Sequence, residues 1–178
     1  DSLVAKVEPI HDVLAIPGMQ RALDDSFLRS IKQKCPYRFE PFLKLFNKNT
    51  NIISIYGLFF KDDSINPKAF VAGINHGPIF EYSIAGSASD AELRKFKFNN
   101  ILLWKLIEEA KNNNCNFLDL GGISIESPEN PTSGISKFKR HYPGFELTVG
   151  HEVLKILNPF KYQIFQTIKY LISLVRRT

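Results

Sequence analysis

The chain has few of the residues that build disulfide frameworks, metal sites and membrane spans. Its only cysteines are Cys35 and Cys115, which form no CxxC pair, so a reducing interior is favoured over a disulfide scaffold. No HExxH or similar spacing occurs, which argues against a metal site. The four histidines are scattered: His11, His76, His141 and His151. No run approaches the roughly 18 apolar residues that span a bilayer, and no signal peptide is visible.

The ends of the chain and its length suggest one domain of something larger. The sequence starts at Asp1-Ser2 without an initiator Met, and its only Met is Met19. We therefore expect a fragment or trimmed product, with a second domain elsewhere in the gene. The 178 residues suffice for one full core, which buries roughly 70% of the unfolded chain's surface.

The charge is moderately basic. The net charge is +5 and the pI about 9.2. Such a field favours phosphate-bearing partners, namely nucleotides, CoA, RNA or an anionic membrane surface, without selecting among them. Simple solubility is an equally good explanation of the same excess.

Apolar spacing and turn residues predict the order ααβββ–α–β–α–β–α with a mixed sheet. Residues 1–19 are expected to be irregular because of Pro9 and Pro17-Gly18. Residues 20–178 are expected to form a single domain. In the predicted helix 100–111, Trp104 is expected to be buried. The predicted helices cover 20–33, 41–46, 100–111, 133–142 and 159–175, and the predicted strands cover 52–60, 69–75, 79–85, 116–120 and 145–157.

Three consecutive segments carry a family resemblance. The helix from Asn100 to Lys111 runs into Phe117-Leu-Asp-Leu-Gly-Gly-Ile123, and Gly134-Ile-Ser-Lys-Phe-Lys139 follows. This succession resembles the second domain of the Fem-type aminoacyl transferases, where (aromatic)-x-Asp-x-Gly-Gly precedes Gly-x-x-x-Phe-Lys. The resemblance is specific over about residues 95–160. It implies an α/β fold of the GNAT (N-acetyltransferase) type, with a mixed central sheet flanked by helices.

The resemblance also implies a reaction. An amino acid passes from aminoacyl-tRNA to an amine of a peptidoglycan precursor, in the cytoplasm and without a bound cofactor. Related domains of the same shape use acyl-CoA as the donor.

Acyl transfer to an amine needs a neutral amine, a carbonyl within reach and a positive group facing the developing oxyanion. No Ser-His-Asp or Cys-His set is visible, so direct attack is the more economical mechanism. The resemblance places a lysine near the transfer centre at Lys139. We assign Lys139 the stabilisation of the oxyanion or of a donor phosphate. A solvated basic helix is the competing interpretation.

Five further residues are candidates for binding substrate. Helical spacing puts Lys137 and His141 on one face and the aromatic pair Phe138 and Tyr142, which can anchor the helix, on another. Arg140 adds a further positive charge. Asp119 precedes the flexible Gly121-Gly122 pair and is a binding or base candidate, although a turn-forming Asp is the simpler interpretation. Tyr82 on the third strand can line a cleft or be an ordinary strand tyrosine.

Three alternatives stay open. CoA-using enzymes carry a Gly-rich turn that cradles the pyrophosphate at a helix N-terminus, whereas the connection here reads Asp90-Ala-Glu-Leu-Arg-Lys-Phe-Lys-Phe98, without glycine. A CoA-dependent acyltransferase is therefore the second hypothesis, and a non-catalytic binding half is the third.

Lys95 and Lys97 can contact phosphate by charge alone, and Glu126 and Glu129 are expected to be solvated. The last helix packs on a further domain or contacts an anionic membrane.

Overall fold

The computed structural model describes residues 5–11, 13–89, 97–123, 133–148 and 155–175. It divides into two compact units, residues 1–143 and 144–178. The first unit holds a five-stranded sheet in the order β1-β2-β3-β4-β5. The strands are β1 Ala5–Pro9, β2 Ile53–Phe60, β3 Ala69–Asn75, β4 Ile79–Ser87 and β5 Phe117–Asp119.

The sheet is mixed, as the order of elements predicts. Strands β1 to β4 pair antiparallel in succession, and β5 lies parallel to β4. A parallel neighbour needs a crossover connection, and the helix between β4 and β5 supplies it. The helices are α1 Ile16–Ile31, α2 Phe39–Lys48, α3 Phe98–Asn112 and α4 Ser133–Arg140, with a 3-10 turn at Val13–Ala15.

Two hydrophobic clusters cover the two faces of the sheet. Strand β2 supplies both, because successive side chains point to opposite faces. Ile53 and Ile55 join the cluster under α1 and α2, while Leu58 and Phe60 join the cluster under α3. The side chains of Phe70 and Phe80 are fully buried, one in each cluster.

A glutamine of α1 caps the start of α2. The backbone N–H of Phe39 donates to Gln20 Oε1 at 2.8 Å, and Gln20 Nε2 donates to Asp24 Oδ1 and to the carbonyl of Tyr37. The residue at the N-cap position, Arg38, makes no capping hydrogen bond with its side chain. One of the unsatisfied N–H groups at the start of α2 is therefore satisfied from another helix.

The expectation that residues 1–19 are irregular is wrong. Residues Ala5–Pro9 form the edge strand β1, in which Val7 packs against the α3 cluster. A proline is tolerated at the end of an edge strand. Pro17 lies in the first turn of α1 rather than ending a segment, since that turn needs no N–H from it. Gly18 is required there because a Cβ would lie 2.8 Å from Pro67 Cδ.

The expected burial of Trp104 is also wrong. Its side chain is 59% exposed, and its indole Nε1 donates to Glu108 Oε1 at 3.1 Å. Apolar residues surround most of α3, so composition alone does not identify the buried stripe. The side chains that face the sheet are Leu102, Leu103, Leu106 and Ala110.

The described part of the second unit contains the helix α5, Pro159–Val175, with the bounds that the sequence predicts. Asn158 caps it, accepting from the N–H of Lys161 at 3.0 Å. The strand predicted for residues 145–157 is absent from its described parts, 145–148 and 155–157. Strand propensity produces a strand only where a ladder partner is available. Residues 149–154 lie outside the described part of the chain.

Candidate active site

Strands β4 and β5 pair over only three positions and then separate. The last registered pair is Glu81 with Asp119, after which β4 continues to Ser87 and the chain leaves β5 through Gly121-Gly122. Among the described residues, no strand pairs with this edge of β4 beyond Glu81. We call the space between β4 residues 82–87 and residues 120–122 the notch.

Strand β4 carries an extra residue beside the notch. Its register with β3 shifts so that Tyr82 pairs with Gly73 and Ile84 pairs with Ala72. Ser83 therefore has no partner residue in β3. A bulge of this kind bends a strand and re-aims its backbone groups, and here it lies where β4 loses its neighbour β5.

Lys139 reaches the end of β5 from helix α4. Its Nζ donates to the carbonyl of Gly122 at 2.8 Å. Partial burial lowers the pKa of the ammonium, while attraction to Asp119 opposes that shift. A lysine held at one carbonyl keeps further N–H donors for a ligand. A partly desolvated positive charge is thus fixed at the mouth of the notch.

The aromatic pair anchors α4 as predicted. The rings of Phe138 and Tyr142 lie edge to face with centroids 5.5 Å apart, and both pack against the cluster under α3. The Tyr142 hydroxyl donates to Asn100 Oδ1 on α3 at 2.8 Å. These contacts orient Lys139, because they hold its helix against α3.

The turn at Gly121 lies within contact distance of Lys139. Gly121 has φ +74°, and a Cβ there would lie 3.4 Å from Lys139 Nζ and 3.8 Å from the carbonyl of Tyr82. Asp119 Oδ1 accepts from the N–H of Gly121 at 2.7 Å, which is the turn-forming role that the sequence allows. Asp119 therefore shapes the turn and attracts Lys139 at the same time.

Tyr82 lines the α3 side of the notch. It packs with the cluster under α3, and burial raises the pKa of its hydroxyl to about 12, with a smaller contribution from Tyr142. The hydroxyl therefore stays protonated at neutral pH and can only donate or accept a hydrogen bond there.

The structure gathers half of the predicted site residues. The side chains of Lys139 and Asp119 and the backbone carbonyl of Tyr82 lie around Gly121. Lys137, Arg140 and His141 are exposed on or just after α4. Lys97 is exposed at the start of α3, while Lys95, Glu126 and Glu129 lie outside the described residues.

Sequence reasoning missed two features of this region. One is the bulge at Ser83, which leaves no signal in residue type. The other is a hydrogen bond of 2.9 Å from His76 Nε2 to Glu81 Oε2. His76 lies in the turn between β3 and β4, and the available signal was Glu81, an acidic residue inside a strand that has no other charged residue.

Within the described ranges there is no group of three or more potential metal ligands and no helix long and apolar enough to cross a membrane. A cavity of about 520 Å³ lies at the far end of α3 beside Cys115 and Asn116, and none of the predicted site residues lines it.

Comparison with known proteins identifies a family and a fold. The model of the FemAB family matches residues 63–170. None of the curated protein sequences matches the chain. Among solved structures, ribosomal-protein-alanine N-acetyltransferase from Brucella melitensis biovar Abortus 2308 is similar with a TM-score of 0.55 and 12% identity, over 85% of this chain and all of that one.

Two further structures are similar in fold. An acetyltransferase of the GNAT family from Staphylococcus aureus Mu50 has a TM-score of 0.57 and 14% identity, over 78% of this chain and 81% of that one. AAC(6')-Iy, solved with the bisubstrate analogue CoA-S-monomethyl-acetylneamine, has a TM-score of 0.55 and 9% identity, over 85% and 99%. At such identities the likeness shows the GNAT-type fold alone.

Proposed function

The chain belongs to the FemAB family, and from this we propose that it transfers an aminoacyl group to an amine of a cell-envelope precursor by direct attack, in the cytoplasm. A transferase role follows from the family. The observation that supports direct attack at this site is the partly buried Lys139 ammonium at the end of β5, beside the bulge in β4.

The chemistry that these groups supply is stabilisation of charge. When a neutral amine attacks the ester carbonyl of an aminoacyl donor, the carbonyl oxygen becomes an oxyanion. A positive charge and backbone N–H donors fixed before the reaction stabilise that oxyanion without reorganisation. In this proposal Lys139 provides the charge, and backbone N–H groups of β4 at the bulge around Ser83 provide the further donors. The ester C–O bond then breaks and the new amide bond remains.

Acyl-CoA is the second candidate donor. One structural neighbour was solved with a CoA bisubstrate analogue, so a donor of that class suits the fold. The connection from Ala85 to Asn100 has only one glycine, Gly86 within β4, and lacks the Gly-rich turn that cradles a pyrophosphate. We therefore favour aminoacyl-tRNA.

The two donors can be compared directly with the full chain. Transfer of radiolabelled amino acid from a charged tRNA pool to a lysine-containing peptidoglycan precursor should give acid-stable label, while radiolabelled acetyl-CoA should give none. Calorimetric titration of CoA should show no binding tighter than millimolar. A micromolar constant with acetyl transfer would support the CoA-dependent alternative, and no transfer from either donor would support a non-catalytic binding half.

A further inference from the structure

We infer that Glu81, held by His76, receives the acceptor ammonium and accepts its proton; this inference rests on the proposed function and identifies the acceptor side of the same site. Any enzyme that joins a primary amine to an ester must first remove a proton, because a free alkylamine has a pKa near 10.4 and is an ammonium at pH 7. Among the groups assigned so far, the carboxylate of Asp119 already accepts from the N–H of Gly121 and shapes that turn, and the other two cannot take the proton. Lys139 is itself a cation, and Tyr82 is a protonated phenol.

Glu81 faces the side of the sheet opposite α3 and α4. Its neighbour Phe80 is buried in the cluster under α3, and successive side chains of a strand point to opposite faces. Asp119, registered with Glu81, points to the same face as Glu81. Lys139 comes from α4 on the α3 side, so positive and negative groups approach the notch from opposite faces.

The position of Glu81 along β4 also suits a group that receives the acceptor amine. Glu81 is the last residue of β4 that pairs with β5, and the bulge at Ser83 lies two residues further on. At about 3.3 Å per residue this separation is about 7 Å. That distance leaves room for one amine nitrogen and one carbonyl group between the carboxylate and the bulge.

His76 orients the carboxylate. Its Nε2 donates to Glu81 Oε2 at 2.9 Å from the turn between β3 and β4, and that turn is itself held because the N–H of Gly77 donates to Asn75 Oδ1 at 2.8 Å. Glu81 Oε1 stays available to a ligand. A base held by a third group is the arrangement that proton transfer requires.

The other groups around Glu81 are few. Asp119 faces Glu81 from β5 and adds negative charge that favours a cation. The residue of β3 that pairs with Glu81 is the apolar Ile74, and Lys139 lies at the end of β5.

The protons of the reaction balance. The ammonium loses two protons on becoming an amide: one passes through Glu81 to solvent, and the other ends on the leaving oxygen of the donor.

The kinetic test compares Glu81→Gln with Glu108→Gln, which removes an exposed carboxylate of α3 that pairs with Lys105. Glu81→Gln should lower kcat/KM for a lysine acceptor at pH 7 about 10²-fold or more, the scale of a lost general base, while Glu108→Gln should not change it. The loss should shrink towards pH 10 and should nearly vanish with methoxyamine, which is already neutral at pH 7. A loss independent of pH and of the acceptor, or no loss, would overturn the inference.

His76 is a positioning residue, and its substitutions separate orientation from folding. His76→Ala should lower kcat/KM with the same dependence on acceptor basicity, and His76→Gln, whose amide can still donate to Glu81, should recover most of it. An equal loss in both variants would contradict the assigned role.

A binding measurement distinguishes failure of this inference from failure of the proposed function. In the full chain with ¹³C-labelled glutamate, the Glu81 carboxyl signal, assigned by its loss in Glu81→Gln, should shift on titration with Nα-acetyl-lysine methylamide and not with the norleucine analogue. This measurement needs no donor. Absence of transfer with this shift present refutes the proposed function only, whereas absence of the shift refutes the ammonium site.

Discussion

The Lys139 ammonium donates to the Gly122 carbonyl, 17 positions earlier in the chain, directly after Gly121, whose φ of +74° turns the chain at the end of β5. This contact joins α4 to the end of β5. It fixes a cation where strands β4 and β5 separate, and the expected behaviour of the site depends on it.

Removal of this cation should affect turnover more than removal of its neighbour. Lys139→Ala should lower kcat about 10²-fold or more, the scale of one lost oxyanion donor. Lys137→Ala, on the same helix but exposed, is the matched control and should act through binding alone, with an effect that weakens at high salt. Steady-state kinetics of both variants provide the measurement. A near-normal kcat in a folded Lys139→Ala variant would contradict the catalytic assignment and would mean that α4 is only a solvated basic helix.

The rate should also have an alkaline limb that belongs to Lys139. Burial lowers the pKa of this group below its usual 10.5, so the ammonium is lost, and the rate falls, as pH rises through that lowered value. Lys139→Arg keeps its charge at all these pH values and should lose the limb, even if its rate at pH 7 is reduced. A limb that persists unchanged in Lys139→Arg would assign it to another group.

The same shift has a defined sign for stability. Between the folded and the unfolded pKa the unfolded chain binds more protons, so this group's contribution to stability rises with pH across that window. The urea concentration at the unfolding midpoint, measured from pH 8 to 10.5, should show a rising contribution with pH in the wild type. This contribution should be absent in Lys139→Met.

The two adjacent glycines should differ sharply. Gly121→Ala places a side chain at φ +74°, a backbone conformation that L residues rarely adopt, so it should cost about 1 kcal/mol or more of unfolding free energy. It should also lower kcat, because the strained turn directly precedes the carbonyl that holds Lys139. Gly122→Ala meets nothing within 4 Å and should be near neutral in both. Chemical denaturation and kinetics measure the two effects. Equal behaviour of the two variants would mean that the turn is not as constrained as its geometry indicates.

The face of α3 can be checked by fluorescence. Trp104, 59% exposed, should emit with a red-shifted, solvent-exposed spectrum in the native state, and Trp104→Ala should change stability by about 0.5 kcal/mol at most. Leu103→Ala, at a fully buried position, should cost about 2–5 kcal/mol. A blue-shifted native emission would reverse this assignment.

The sequence predicts those parts of the fold that local pattern encodes. The bounds of β3 and α5 agree with the predicted ones, and β2 and β4 differ by at most two residues, because apolar and β-branched runs end at Asn, Gly and Pro turns. Strand β1 is not predicted from local pattern, because its alternation of apolar and charged residues covers only five positions and ends in Pro9. It becomes a strand because β2 pairs with it.

The site is less accessible to such reasoning than the fold. Lys139 and Asp119 are found from the sequence because motif residues lie beside them. The bulge at Ser83 depends on how β3 and β4 align, and the contact between His76 and Glu81 depends on the turn geometry. Both are products of pairing rather than of residue type, so no periodicity marks them.

The cap that Gln20 places on α2 bears on the order of events in folding. The amide that satisfies the N–H of Phe39 belongs to α1, and a ten-residue helix is too short to persist alone in water. An isolated peptide of residues 36–50 is therefore expected to be a coil. Because the side chain of Gln20 satisfies the N–H of Phe39, we expect α2 to become stable only once α1 has formed, so that a single side chain couples the two helices.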